Sequence, residues 1–303
     1  TRLQAFGLDA HFTIEQQGRN NGGFFMNFNG TAGVWRKSCI HEAGGWQADT
    51  LTEDLDLSYR AQLKGWKIVY LQHTEAPAEL PTAMGALKSQ QYRWTKGAAE
   101  TARKHLASVL SSAQRIPAKL HAMFHLLNSS VFVCVLLTAI LSIPVLFIRQ
   151  EYPQFGWLYK AGALLLLSLF SLVSFYWIAS GASGQRSLRK FIPDFLLFLS
   201  MSMGMSLHNS VAVLEGYFGR KTPFIRTPKY NIVQPQDGWH QKHYSLPGIS
   251  ILSWLEGLLA LYFAGGVWLG FHFRNYSFVP FHVMLTLGFG LVFCYTLLHS
   301  RRT

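Results

Sequence analysis

The sequence predicts a water-soluble α/β part followed by an α-helical membrane domain. Three observations carry this reading. Composition breaks near residue 120, after which long apolar runs dominate. Apolar residues make up 50% of the 303 and charged residues only 14%, against roughly 25% charged in ordinary soluble chains. Aromatic residues are plentiful, with 23 Phe, 12 Tyr and 9 Trp, as in proteins that sit at a membrane–water boundary. The domain division follows: residues 1–120 form the soluble part and 121–303 the membrane part.

Within the soluble part, "FFMNFNGTAGVWR" (24–36) begins as a strand-like run and ends in a turn where Asn29, Gly30, Thr31 and Gly33 let backbone approach a ligand. "RKSCIHEAGGW" reads as a short helix stopped by Gly44 and Gly45. In "TEDLDLSYRAQLKGW" (52–66), Thr52 is placed to cap a helix, with Glu53 and Asp54 in its first turn, where the dipole favours negative charge. Leu55, Tyr59 and Leu63 recur every fourth residue and form its buried stripe. "KIVYL" (67–71) reads as a second strand. "SQQYRWTKG" (89–97) lies in a helix running to about Leu110. Gln90, Arg93 and Trp94 share a face of it. An amide, a guanidinium and an indole together suit a phosphate and a sugar, or equally a helix lying on the membrane surface.

Four apolar runs in the membrane part, 124–148, 158–179, 251–271 and 278–298, reach the roughly 20 residues needed to cross a bilayer. A fifth, 192–214, is flanked on both sides by basic residues: Arg186, Arg189 and Lys190 before it, Arg220, Lys221 and Arg226 after it. Positive flanks face the cytoplasm, so this run reads as an interfacial or re-entrant helix. The topology is then a multi-pass integral membrane protein of four spans with its soluble part cytoplasmic.

Charge and cysteine usage exclude other classes. Lys and Arg number 27 against 15 Asp and Glu, for a net charge of +12. The basic residues gather at span edges, so a lipid bilayer rather than nucleic acid is the expected partner. Cys39, Cys134 and Cys294 lie far apart and form neither a metal set nor a disulfide framework.

"FNGTAGVWR", "TED" and "QQYRW", in this order and spacing, resemble the family 2 glycosyltransferases of the cellulose synthase superfamily, the first motif especially the mannan and glucomannan synthase branch. The family's Q-x-x-R-W matches Gln90, Arg93 and Trp94, and its T-E-D matches Thr52, Glu53 and Asp54. "PFIRTPKY" (223–230) resembles the family's gating loop, expected here over 217–248: Phe224, Thr227 and Lys229 match, while Arg226 departs from the pattern.

The resemblance implies a GT-A-type glycosyltransferase domain, of which residues 1–120 are the C-terminal part. It implies inverting transfer of a hexose from a nucleotide sugar, UDP-glucose or GDP-mannose, to the 4-hydroxyl of a growing β-glycan, with the polymer extruded through the membrane helices. Asp54 is the expected general base, with Thr52 and Glu53 beside it. Gln90, Arg93, Trp94, Asn29, Gly30 and Thr31 are expected to bind substrate or acceptor.

Mg2+ or Mn2+ is the implied cofactor. Its ligands are not expected in these residues: Asp54-Leu55-Asp56 spells D-x-D, but the family's metal motif lies upstream of T-E-D and has no match here. The chain is therefore expected to be part of a longer protein and inactive alone. Two alternatives remain open at this stage: a non-processive enzyme that glycosylates a lipid, as ceramide glucosyltransferases do, and a transport subunit without catalysis.

Overall fold

The computed structural model describes residues 1–162, 164, 167–182, 184, 187–227 and 249–300. Lys229 and the 228–248 part of the expected gating-like loop lie outside them.

The chain opens as one rod. Helix α1 (Arg2–Ala10) passes through a π-helical turn (His11–Gln16) into α2 (Gln17–Gly22), which ends where Gly23 adopts a left-handed φ of 63°. An extended run over 24–29 follows, then α3 (Lys37–Glu42), stopped as expected by Gly44 and Gly45, both at positive φ. Helix α4 (Glu53–Leu63) carries the acidic first turn, and α5 (Met84–Ser111) carries the Gln-Arg-Trp face.

Among the described residues there is no β-strand, which corrects the α/β expectation for 1–120. The physical reason is visible at 24–28. A strand needs a neighbouring ladder, and here side chains of α4 occupy the backbone instead. The Met26 N–H donates to Gln62 Oε1 at 2.8 Å, and Gln62 Nε2 donates to the Met26 carbonyl at 2.7 Å. The Phe28 N–H donates to Ser58 Oγ at 2.9 Å. The run at 67–71 is also extended without a ladder, held at Tyr70, whose N–H donates to Asn20 Oδ1 at 3.0 Å.

The predicted stripe of α4 is present. Tyr59 is fully buried against Phe25, Ala102, Val109, Ala122 and Leu126, with Leu55 and Leu63 packed on the same cluster. The core thus joins α4, α5 and the next helix, α6 (Ile116–Leu127).

Helix α6 continues through a short 3-10 turn (Asn128–Ser130) into α7 (Val131–Glu151), and Ile116–Glu151 is long and apolar enough to cross a membrane. So are α12 (Ile251–His272) and Tyr276–Ser300, the latter containing α13 (Val279–Ser300). The expected span at 158–179 falls on α8 (Gly156–Gly162) and α9 (Leu167–Ala182); α9 is apolar but has 16 residues. The 192–214 run falls on α10 (Leu188–Gly204) and α11 (Ser206–Tyr217), which bend by 50° at their junction.

Ala139, Ile143, Phe263, Leu285 and Phe289 form the core of the helical bundle. Glycine permits its closest crossing: a Cβ on Gly288 of α13 would lie 1.9 Å from the Ser200 carbonyl oxygen of α10, so these backbones touch directly.

Candidate functional site

The acidic turn meets the Asn-Gly turn, and α5, which carries Gln90, Arg93 and Trp94, packs on the acidic turn at Gly97. Gly30 adopts a left-handed φ of 60°, a conformation that costs glycine nothing. Its N–H donates to Asp54 Oδ2 at 2.6 Å, and Asp54 Oδ1 accepts from the Leu55 N–H at 2.8 Å. Burial raises the Asp54 carboxyl above its ordinary value; Glu53 adds to the rise and the two backbone amides oppose it. Glu53 itself is exposed.

Asn29 belongs to an amide cluster below this turn. Asn27 Nδ2 donates to Asn29 Oδ1 at 2.6 Å, and the fully buried Gln16 reaches both asparagines at 3.3 Å. Thr31 is exposed. A further buried network holds the rod in place. Arg19 donates to Glu15 at 2.8 Å and to His125 Nε2 at 2.7 Å, and the other ring nitrogen of His125 meets the Tyr59 hydroxyl at 2.7 Å. His11 and Arg19 hold the Glu15 carboxyl down, to about 2, against the pull of burial.

Thr52 stands at the N-cap position of α4 but makes no capping bond. Its hydroxyl faces Thr101 of α5 at 3.4 Å, which corrects the expected cap. Helix α5 comes this close because of Gly97: a Cβ there would lie 2.5 Å from Thr52 Cγ2 and 2.8 Å from its backbone nitrogen.

The second acid of the D-x-D string, which the sequence does not assign to metal, lies on the same helix. Asp56 is fully buried and accepts from Arg60 Nε at 2.8 Å, Lys104 Nζ at 2.8 Å and His105 Nε2 at 2.7 Å. Burial opposes its ionisation, yet His105, Lys104 and Arg60 hold its carboxyl well below the carboxylate range. A carboxylate ringed by these three donors is poorly placed to bind a cation, and among the described residues no group of three His, Cys, Asp or Glu side chains could hold a metal ion. The residues present do not fit the implied Mg2+ or Mn2+ site.

On α5 the three expected residues take separate partners. Arg93 donates to Thr227 at 3.0 Å and lies 4.6 Å over the Phe224 ring, so the two described gating-like residues meet the motif arginine directly. Burial pulls the Arg93 guanidinium down, while Glu53 and Asp54 push it back up. Gln90 accepts from Gln4 Nε2 at 2.6 Å. Trp94 opens on a cavity of about 240 Å3 shared with Gln4, Gln91, Tyr176, Phe198 and Asn209.

Several residues of this region had no motif to announce them. Asn209 is fully buried, and among the described residues neither its amide oxygen nor its amide nitrogen has a partner. Lys96, also fully buried, donates to Thr222 Oγ1 at 2.8 Å and lies 3.6 Å from Glu215, which the Tyr92 hydroxyl also meets. Burial and the Glu215 carboxylate push the Tyr92 phenol up to about 12. Tyr92 and Lys96 are four apart and share a face of α5 that Gln90, Arg93 and Trp94 do not mark; Asn209 lies in an apolar run and carried no such signal.

Comparison with known proteins agrees with these motifs. Residues 1–181 match the family model described as "Glycosyl transferase family group 2". The chain is 34% identical over 247 residues to glucomannan 4-beta-mannosyltransferase 1 of Oryza sativa subsp. japonica, covering 76% of this chain and 42% of that protein. It is 31% identical over 301 residues to glucomannan 4-beta-mannosyltransferase 2 of Arabidopsis thaliana, covering 92% and 52%. The chain thus spans about half the length of the curated relatives it matches. No solved structure matches it significantly. A family model covering well over half of the chain, on the segment that holds all three motifs, makes it a member of glycosyl transferase family group 2.

Proposed function

We propose that the chain is the acceptor-binding and membrane-embedded half of an inverting β-glycan synthase, which transfers a hexose from a nucleotide sugar to the 4-hydroxyl of a growing chain. What supports this reading is that α5 joins the acidic turn to the membrane bundle: its Gly97 packs against Thr52 beside Asp54, and Arg93 and Trp94 lie one turn earlier on the same helix. The names of the relatives favour mannose as the sugar transferred, with GDP-mannose as donor and UDP-glucose as its competitor.

Asp54 takes the proton of the attacking hydroxyl. Its raised carboxyl suits a general base, whose help is worth roughly 10²–10⁴ in rate. The Gly30 and Leu55 amides hold it in one orientation. Arg93 stabilises the charge that grows on the departing diphosphate; to do so it leaves its resting partners Thr227 and Phe224. Trp94 offers a flat apolar face to the acceptor sugar. The amide of Asn209, which lines the same cavity and has no partner among the described residues, suits sugar hydroxyls, since a buried amide left unpaired costs free energy that a ligand recovers. The divalent cation, bound elsewhere in the complete protein, would offset diphosphate charge.

The experiment uses the complete polypeptide in membranes with Mg2+, fed radiolabelled GDP-mannose and UDP-glucose separately. Insoluble product is digested with a β-mannanase and a β-glucanase, beside an Asp54→Asn variant. The expected result is β-mannanase-sensitive polymer that the variant does not make. Label that appears only in a lipid extract would replace this reading with glycosylation of a lipid acceptor.

A further inference from the structure

Helix α5 is a strut of 28 residues, about 42 Å at 1.5 Å per residue. Its C-terminal half is fastened to the acidic helix: Lys104 and His105 on Asp56, Gly97 against Thr52, and Glu100 accepting from the Leu51 N–H at 2.7 Å. Its first turns are fastened to three helices of the membrane bundle. The Met84 N–H donates to His299 Nδ1 of α13 at 2.9 Å. The Lys88 carbonyl accepts from His208 Nε2 of α11 at 3.0 Å. The Lys88 ammonium donates to Glu256 Oε2 of α12 at 2.6 Å and reaches Ser253 Oγ at 3.5 Å. Lys88 is 7% exposed and Glu256 fully buried.

A buried ion pair gains little stability over apolar residues of the same volume, because desolvation cancels much of its attraction. What it supplies is one geometry: an ammonium must find its carboxylate, whereas packed methylenes tolerate a slip along the helix. Trp94 follows Lys88 by six residues and Arg93 by five, so any axial slip or rotation of α5 moves both relative to Asp54.

We propose that Lys88 and Glu256 are a positioning pair that fixes the axial register of α5 on the membrane bundle, and thereby sets Arg93 and Trp94 against Asp54. This rests on the proposed function for its kinetic readout but not for its structural one. Neither residue touches substrate.

The test uses the complete polypeptide in membranes, with four variants: Lys88→Met, Glu256→Leu, their double, and the swap Lys88→Glu/Glu256→Lys. Misplacement by an ångström costs about 10²-fold in rate, so each single variant is expected to lose about that in kcat with a much smaller change in KM, and the swap to restore most of it. The apolar double variant decides between positioning and mere stability. It is expected to unfold at a temperature no lower than the parent's yet to stay slow; parent-like kcat in that variant overturns the proposal.

A second readout needs no activity. Met84, Val292 and Met205 share one buried cluster. In a background lacking Cys39, Cys134 and Cys294, a Met84→Cys/Val292→Cys cross-link is expected to form efficiently with the native and swapped pairs and poorly with the single and double variants. Equal cross-linking in all of them overturns the proposal. Absence of glycan synthesis in the parent would overturn the functional reading alone, and the cross-link would still judge the pair.

Discussion

Two acids two residues apart on α4 have opposite electrostatics, and the difference makes them separable by mutation. Asp54 is raised by burial with only backbone donors to oppose it. Asp56 is lowered by His105, Lys104 and Arg60. Asp54→Asn is expected to lower glycan synthesis by about 10²–10⁴-fold and to cost about 1 kcal/mol of stability, because its amide nitrogen faces one of the two backbone N–H donors that the carboxylate satisfies. Asp56→Asn is expected to cost about 1–3 kcal/mol, since it removes the charge that the part-buried Arg60 and Lys104 share; thermal unfolding in detergent checks both. The pH dependence has opposite signs. For Asp56, the folded value lies below the unfolded 3.8. Its stability is therefore present above that unfolded value and lost as pH falls through the folded one. For Asp54, the base form empties as pH falls through a value above 3.8, so its activity limb lies at higher pH than the acid unfolding limb of Asp56. Coincident limbs in a pH profile of rate and stability would contradict the assignment.

The helices of the site were legible because their signals are local. The spacing of Leu55, Tyr59 and Leu63, the first-turn acids, the double glycine after α3 and the shared face of Gln90, Arg93 and Trp94 all depend on residues within one element. What the sequence hid depends on a partner elsewhere. The extended run at 24–28 looked like a strand because strand propensity is readable, but whether a ladder or the side chains of Gln62 and Ser58 occupy its backbone is a matter of neighbours. Thr52 looked like a cap for the same reason, until α5 came close enough for Thr101 to take its hydroxyl. That approach depends on Gly97, which motif reading passed over. Any side chain at position 97 meets the Thr52 backbone nitrogen, not only a flexible tip. Gly97→Ala is therefore expected to cost about 1–3 kcal/mol as overpacking does, and to reduce glycan synthesis by pushing α5 and its Arg93 away from Asp54. An Ala variant with parent-like unfolding temperature and rate would show that the two helices have room the geometry denies them.

At the scale of the molecule, the two ends of the helical bundle can be told apart by their partners. The near end carries the soluble helices: His299 at the end of α13 and Ser253 at the start of α12 both meet the first turns of α5. The far end is marked by Arg149 of α7, which donates to Asn275 and Ser277 in the α12–α13 connection at 3.3 and 3.1 Å. The chain is thus at the far end at residue 149. It is back at the near end by α10, where Phe191 packs on Phe6 of α1 and Arg2 meets Asp194. The expected four-span topology requires a return between them, which α9 would make. If α9 crosses, α10 and α11 do not. Their geometry agrees: α10 reaches Gly288, halfway along α13, then the 50° bend sends α11 back beside α5, with His208 on Lys88 and Gly216 against the Lys96 carbonyl. A helix lying along a strut that carries Lys88, Arg93, Lys96, Arg103 and Lys104 is expected outside the hydrocarbon, where such charges are costly. Leu188 and Phe218, at the outer ends of the pair, are 60% and 83% exposed. Cysteines placed there in a background without the native three are expected to react with a membrane-impermeant maleimide from the same face, the one that also exposes Glu53. Labelling from opposite faces would make the bent pair a span, leave α9 on one side of the membrane, and move the Trp94 cavity into the middle of the bilayer.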